Sequence, residues 1–146
     1  MNTIKRSALV SYTARQMFEL VNNIADYPRF LPWCHSSEIL SSSEKEIVAS
    51  LDIAWKGIHK SFTTHNELLP FKCIKITLVK GPLRHLDGIW KFHNLGKNEG
   101  CKVTLDLEFE FAGHFIDRVF EPIFNYIANS LVDAFCKRAG EVYGEK

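Results

Sequence analysis

The sequence predicts an α+β fold: a curved antiparallel sheet of about seven strands around a long C-terminal helix, with two short helices after the first strand. Three observations carry this reading. Between residues 35 and 111 successive segments alternate apolar and polar residues with period two. The last of them, "CKVTLDLEFEF", places Val103, Leu105, Leu107, Phe109 and Phe111 on one face and Lys102, Thr104, Asp106, Glu108 and Glu110 on the other. That is the pattern of an antiparallel sheet with one dry and one wet face. From about Phe115 to Tyr143 the period becomes helical, and Ile116, Val119, Phe120, Ile123, Phe124, Ile127, Leu131 and Phe135 form one stripe. A helix of that length, about 40 Å at ~1.5 Å per residue, is the element large enough to cover the dry face.

The elements follow in order. "TIKRSALVSY" reads as the first strand. "YTARQMFELVNNI" opens a helix, with Thr13 as N-cap, Gln16 as its reciprocal capping-box partner, and Tyr12 and Met17 placed as a hydrophobic staple. Asp26 is placed to cap a second short helix carrying Tyr27 and Pro28 in its first turn, and Pro32 disfavours helical backbone at Leu31 and stops it there. The strands "HSSEILSS", "EIVASLDIAW", "HKSFTTHNELL", "CIKITLVK", "LDGIWKFHNL" and "CKVTLDLEFEF" come next, separated by the turn signals "SSSE", "LPFK", "KGPLR" and "GKNEG". Pro122 interrupts the terminal helical pattern and is expected to kink or split it.

Composition narrows the class. At 146 residues, residues 1–146 are expected to form one domain with a core large enough to need no staple. A net charge of +1 gives no global drive toward nucleic acid or an acidic membrane, so such binding would need a local patch. Cys34, Cys73, Cys101 and Cys136 have neither zinc nor disulfide-framework spacing and read as reduced thiols. The N-terminal segment has no signal-peptide apolar region and no apolar run reaches the ~18 residues of a membrane span. The expected location is cytoplasmic.

The segments "SALV" (7–10), "MFELVNNIADYPRFLPWC" (17–34), "FTTHNEL" (62–68), "GPLRHLDGIWKF" (81–92), "LDLEFEF" (105–111) and "AFCKRAGEVYG" (134–144) together resemble the START-like helix-grip superfamily of polyketide cyclases, dehydrases and lipid transport proteins. Within it the sequence is similar to the branch of coenzyme Q-binding proteins and the bacterial ribosome-association toxin RatA. The resemblance implies a protein without catalytic machinery or cofactor. Its leading implication is binding of ubiquinone or a similar apolar isoprenoid lipid in a sheet–helix cavity, in support of respiration. Its alternative is a type II toxin that binds the large ribosomal subunit, blocks subunit joining and pairs with a small ubiquitin-like antitoxin.

The residues agree with a binding role. None of His35, His59, His65, His85, His93 and His114 sits in a metalloprotease, nucleophile-elbow or phosphate-loop pattern, and no convergent acid/base pair for a cyclase or dehydratase is identifiable. Phe30, Leu31 and Trp33 in "DYPRFLPWC" are expected at the cavity mouth, as a hydrophobic plug or as a gate that touches a ligand. Phe62, Thr64, Leu78, Trp90 and Phe109 are expected to wall the cavity from the sheet, and Phe120, Phe124 and Ile127 from the helix. Thr64 and Asn66 would be polar groups on a dry face and need partners, either buried water or a ligand carbonyl. A chamber of ~300 Å³, the low end for ligand sites, would cost several kcal/mol if empty. It is therefore expected to be packed by phenylalanines, wet, or occupied by an apolar guest. The short basic clusters Lys56/Lys60, Lys80/Arg84/His85, Lys5/Arg6 and Lys137/Arg138 read as solvated charge, the last pair also favouring the helix C-terminal dipole.

Overall fold

The computed structural model describes residues 2–97, 99–111 and 117–144. Strand β1 (Asn2–Val10) leads into helix α1 (Ala14–Asn22) and a 3-10 helix (Ile24–Arg29). Strands β2 (Cys34–Ser42), β3 (Glu46–Trp55), β4 (Ile58–Leu69), β5 (Cys73–Lys80), β6 (Leu83–Asn94) and β7 (Cys101–Phe111) follow, and helix α2 (Asp117–Tyr143) closes the order. The sheet runs β1-β7-β6-β5-β4-β3-β2, with every neighbouring pair antiparallel. The expected α+β architecture is the one observed.

Local chemistry explains the boundaries. Thr13 accepts from the backbone of Gln16 at 3.1 Å while the Gln16 side chain accepts from the Thr13 backbone at 2.9 Å, so two otherwise orphaned donors of α1 are satisfied. Tyr12 and Met17 are both buried. The β3–β4 hairpin turns on Lys56 (φ 50) and Gly57 (φ 83); two successive positive φ values match the twist of the flanking strands.

Three expectations need correction. Asp26 does not cap the second helix: that helix is 3-10, starts at Ile24 after an Asn23 whose side chain makes no capping bond, and ends at Arg29 rather than Leu31. Pro122 does not split α2. It is the sixth residue of the helix, so its missing N–H withdraws a bond only from the first turn, where Arg118 is exposed. Val119 is 48% exposed and not on the buried stripe; it falls one turn-position off Phe120 and shares the solvent side with Tyr126, seven residues on. His114, Phe115 and Ile116 lie outside the described residues.

The core is continuous from α1 across the sheet to α2. At one end Phe62, Phe109, Phe111, Phe120 and Phe124 form a ring cluster with centroids 4.9–6.5 Å apart. These phenylalanines fill part of the sheet–helix interior, and Phe62 and Phe124 also border a chamber beside them.

A candidate ligand chamber between sheet and helix

The unfilled end holds a chamber of about 130 Å³. Ile24 and Tyr27 of the 3-10 helix and Trp33 close it on one side. Ala49, Leu51, Ile53, Phe62, Thr64, Asn66, Ile76, Leu86, Trp90 and Leu107 line it from the sheet, and Phe124, Ile127, Ala128, Leu131 and Phe135 from α2. Empty, it would cost about 3 kcal/mol at ~24 cal/mol per Å³.

Of the residues expected at the site, Trp33, Phe62, Thr64, Trp90, Phe124 and Ile127 line the chamber and the other five do not. Phe109 and Phe120 are fully buried inside the phenylalanine cluster. Leu31 is 1% exposed, packed in the core. Phe30 is half-buried outside the lining, under the Arg138 guanidinium (5.1 Å to its ring) and against Phe135 (5.4 Å). Leu78 pairs with Thr64 just after a β-bulge at Thr63/Thr64 and packs toward the Gly81 turn, which leaves Ile76 to line the chamber from β5.

Tyr27 and Phe135 are the largest lining residues that sequence reasoning did not assign. Their rings meet at 5.3 Å, and Phe135 also meets Trp90 at 5.4 Å. Phe135 was visible on the helical stripe; what placed it at the chamber is the 3-10 helix folding onto that part of α2. Asp26 and Arg138 hold this contact, 3.1 Å apart with side chains 14% and 21% exposed. Arg138 therefore has a specific partner and does more than complement the helix dipole. Gly88 lies on the inner face between Leu86 and Trp90, and a Cβ there would lie 2.5 Å from a methyl of Leu107, a lining residue that would have to shift.

The chamber's polar groups are few. The Thr64 hydroxyl donates to the Asn66 side-chain oxygen at 3.1 Å. Asn66, 7% exposed, has no hydrogen-bond partner for its amide nitrogen among the described residues, so a donor is presented to whatever fills the space. The Tyr27 hydroxyl donates to the Val21 carbonyl, and burial, with a smaller contribution from Cys34, pushes its pKa well up. It stays protonated and fully engaged. Burial, with Asp52 adding to it, raises the Cys34 thiol to about 11, which disfavours the thiolate, and the residue packs in the core. All four cysteines are free. Among the described residues no group of three or more His, Cys, Asp or Glu is placed to hold a metal ion, and no described helix is long and apolar enough to cross a membrane.

A seven-stranded sheet gripping one long helix around a small, apolar, nearly uncharged chamber defines a START-like helix-grip protein. Its backbone matches the Zhui aromatase/cyclase from a Streptomyces species with a TM-score of 0.81 at 18% identity, covering 94% of this chain and 93% of that one. Residues 10–136 match the family model described as polyketide cyclase / dehydrase and lipid transport, and the chain belongs to that family. Within it, the chain is 49% identical over 145 residues to the ribosome association toxin RatA of Vibrio cholerae, covering 99% of this chain and all of the relative. A mitochondrial coenzyme Q-binding protein, homolog B, of Xenopus laevis is 24% identical across 96% of this chain and 59% of its own length.

Proposed function

We propose that this protein acts in the cytoplasm as a ribosome-association factor, by binding and without catalysis. The observation that carries the reading is near-half identity over the full length to a protein named for ribosome association, against 24% to the coenzyme Q-binding relative. This reverses the order in which the sequence alone ranked lipid and ribosome. A binding role also fits the chamber, whose lining among the described residues contains no carboxylate, histidine or lysine that would move a proton. Following the family resemblance, the target is the large subunit, the consequence is blocked subunit joining, and an antitoxin partner is expected. Expression of the protein should shift sucrose-gradient profiles from joined ribosomes to free subunits, with the protein co-sedimenting with the large subunit. Unchanged profiles with the protein left at the top of the gradient would overturn the proposal.

The chamber supports a second reading, that the fold also holds the head of an apolar ligand. A space of about 130 Å³ is near the ~150 Å³ that accommodates one six-membered ring. It suits a quinone ring, with any isoprenoid tail leaving through the mouth, and the free Asn66 amide would donate to a ring carbonyl. A short-tailed ubiquinone should be retained by the wild-type protein in native mass spectrometry. Asn66→Leu, similar in volume but without the donor, should weaken it about tenfold, the scale of one buried hydrogen bond. No retention by the wild type, or equal retention by the variant, would sink this reading or the role of Asn66 in it.

A further inference from the structure

The outer face of the sheet carries a cationic cluster that strand pairing assembles from distant sequence. Lys91 on β6 sits between Cys73 of β5 and Thr104 of β7. His93, two residues on, pairs directly with Lys102, whose other neighbour is Leu9 of β1. Lys75 on β5 lies diagonal to Lys91. All four of these side chains are exposed.

The rest of the same face is arranged differently. There cations and anions interleave: Lys5 stands opposite Asp106, Arg84 pairs with Glu110 at 3.8 Å, and His85 lies 3.0 Å from Asp87 and 3.8 Å from Glu108. Directly opposite Lys91, His93 and Lys102 the cross-strand neighbours are uncharged apart from the cluster itself, and the carboxylates lie at its margin: Glu67 opposite Lys75, Asp87 diagonal to Lys75 and Asp106 diagonal to Lys91. Lys91 is diagonal to both Lys75 and Lys102, so three lysine charges that would repel at such spacing converge on one stretch of the face, and an anion laid across them would relieve that repulsion. With a net charge of only +1, attraction to a polyanion must be local, and these three exposed lysines on neighbouring strands supply such a patch.

We infer that this face, centred on Lys75, Lys91, His93 and Lys102, is the surface that contacts the phosphate backbone of ribosomal RNA; the inference rests on the ribosome reading and names its contact surface. The interaction is with phosphates and not with base edges, because lysines on a strand face act as point charges. It lies on the face of the sheet opposite the chamber, so chamber and RNA surface are separable.

The test is binding of the full chain to purified ribosomes across a potassium chloride series. The Lys91→Glu/Lys102→Glu double variant should bind at least tenfold more weakly, with the salt slope reduced by about two, roughly one per lysine. Lys91→Arg/Lys102→Arg should bind as wild type. Lys56→Glu/Lys80→Glu makes the same change in net charge elsewhere and should stay within twofold. Wild-type affinity in the Lys91/Lys102 charge reversal, or an equal loss in the control, overturns the assignment while leaving ribosome binding standing. Intact ribosome binding with lost capture on phosphatidylglycerol vesicles would assign the face to a membrane and also overturn it. No co-sedimentation of the wild type would instead remove the ribosome reading, and this inference with it.

Discussion

Trp33→Ala is expected to lower the unfolding free energy by about 3–5 kcal/mol, before any effect on ligand affinity is considered. The indole is 5% exposed and belongs to the continuous core, and it also lines the chamber. Its backbone carbonyl accepts from Ala54 at 2.9 Å, which fixes the exit of "DYPRFLPWC" to β3. Truncation would therefore merge the lost side-chain volume with the existing space of about 130 Å³, and a tethered backbone limits collapse. Against a typical domain stability of ~5–15 kcal/mol the loss is large enough to read directly from denaturant unfolding. Trp33→Phe, keeping a ring, should cost no more than about 1.5 kcal/mol. The plug reading of this segment requires that order of effects. A Trp33→Ala protein less than about 1 kcal/mol destabilised but unable to hold a quinone would make the residue a gate instead.

The same segment shows how far the sequence could be read. Period-two alternation and turn chemistry located all seven strands, since those signals are local. The capping box at Thr13 and Gln16 was equally local. The chamber was legible only where one face was obvious: Trp33, Phe62, Thr64, Trp90, Phe124 and Ile127 could be assigned inward from strand or helix phase alone. Which inward residue borders space and which borders another side chain depends on register. Ile76, paired with Asn66, borders the chamber, whereas Leu78, two residues on along the same face, packs toward the Gly81 turn, and nothing in "CIKITLVK" announces that. Phe109 and Phe120 were misplaced for a related reason, because phenylalanine-rich stripes do not disclose which rings pack on each other. Contacts between distant positions were out of reach altogether. Asp26 reads as a helix cap and Arg138 as dipole complement until the two are seen 3.1 Å apart. Lys75, Lys91 and Lys102 lie on three separate strands, and only the β5–β6–β7 pairing makes them one patch.

Gly100→Ala is expected to destabilise by about 3 kcal/mol or more, and Gly57→Ala by about 1 kcal/mol, although both glycines have nearly the same backbone conformation. Gly57 has φ +83 and Gly100 φ +89, so both variants force a side chain into the left-handed region at similar conformational cost. Their surroundings differ. A Cβ on Gly57 meets nothing within 4 Å, whereas one on Gly100 would lie 1.9 Å from the Val10 carbonyl oxygen, 3.0 Å from its carbon and 3.1 Å from the Ser11 Cα. These are backbone atoms, which no rotamer change can move aside. Relief requires β7 to separate from the end of β1, where Val10 pairs with Cys101, and that end feeds directly into α1 and the chamber-closing segment. The difference between the two variants isolates the steric contribution, because the φ penalty cancels. Hydrogen exchange should show opening at the amides around Val10 and Cys101 in Gly100→Ala alone. Equal unfolding free energies for the two variants would mean that the β1–β7 end yields freely, and that the close approach of Gly100 to Val10 does not anchor the chain entering α1.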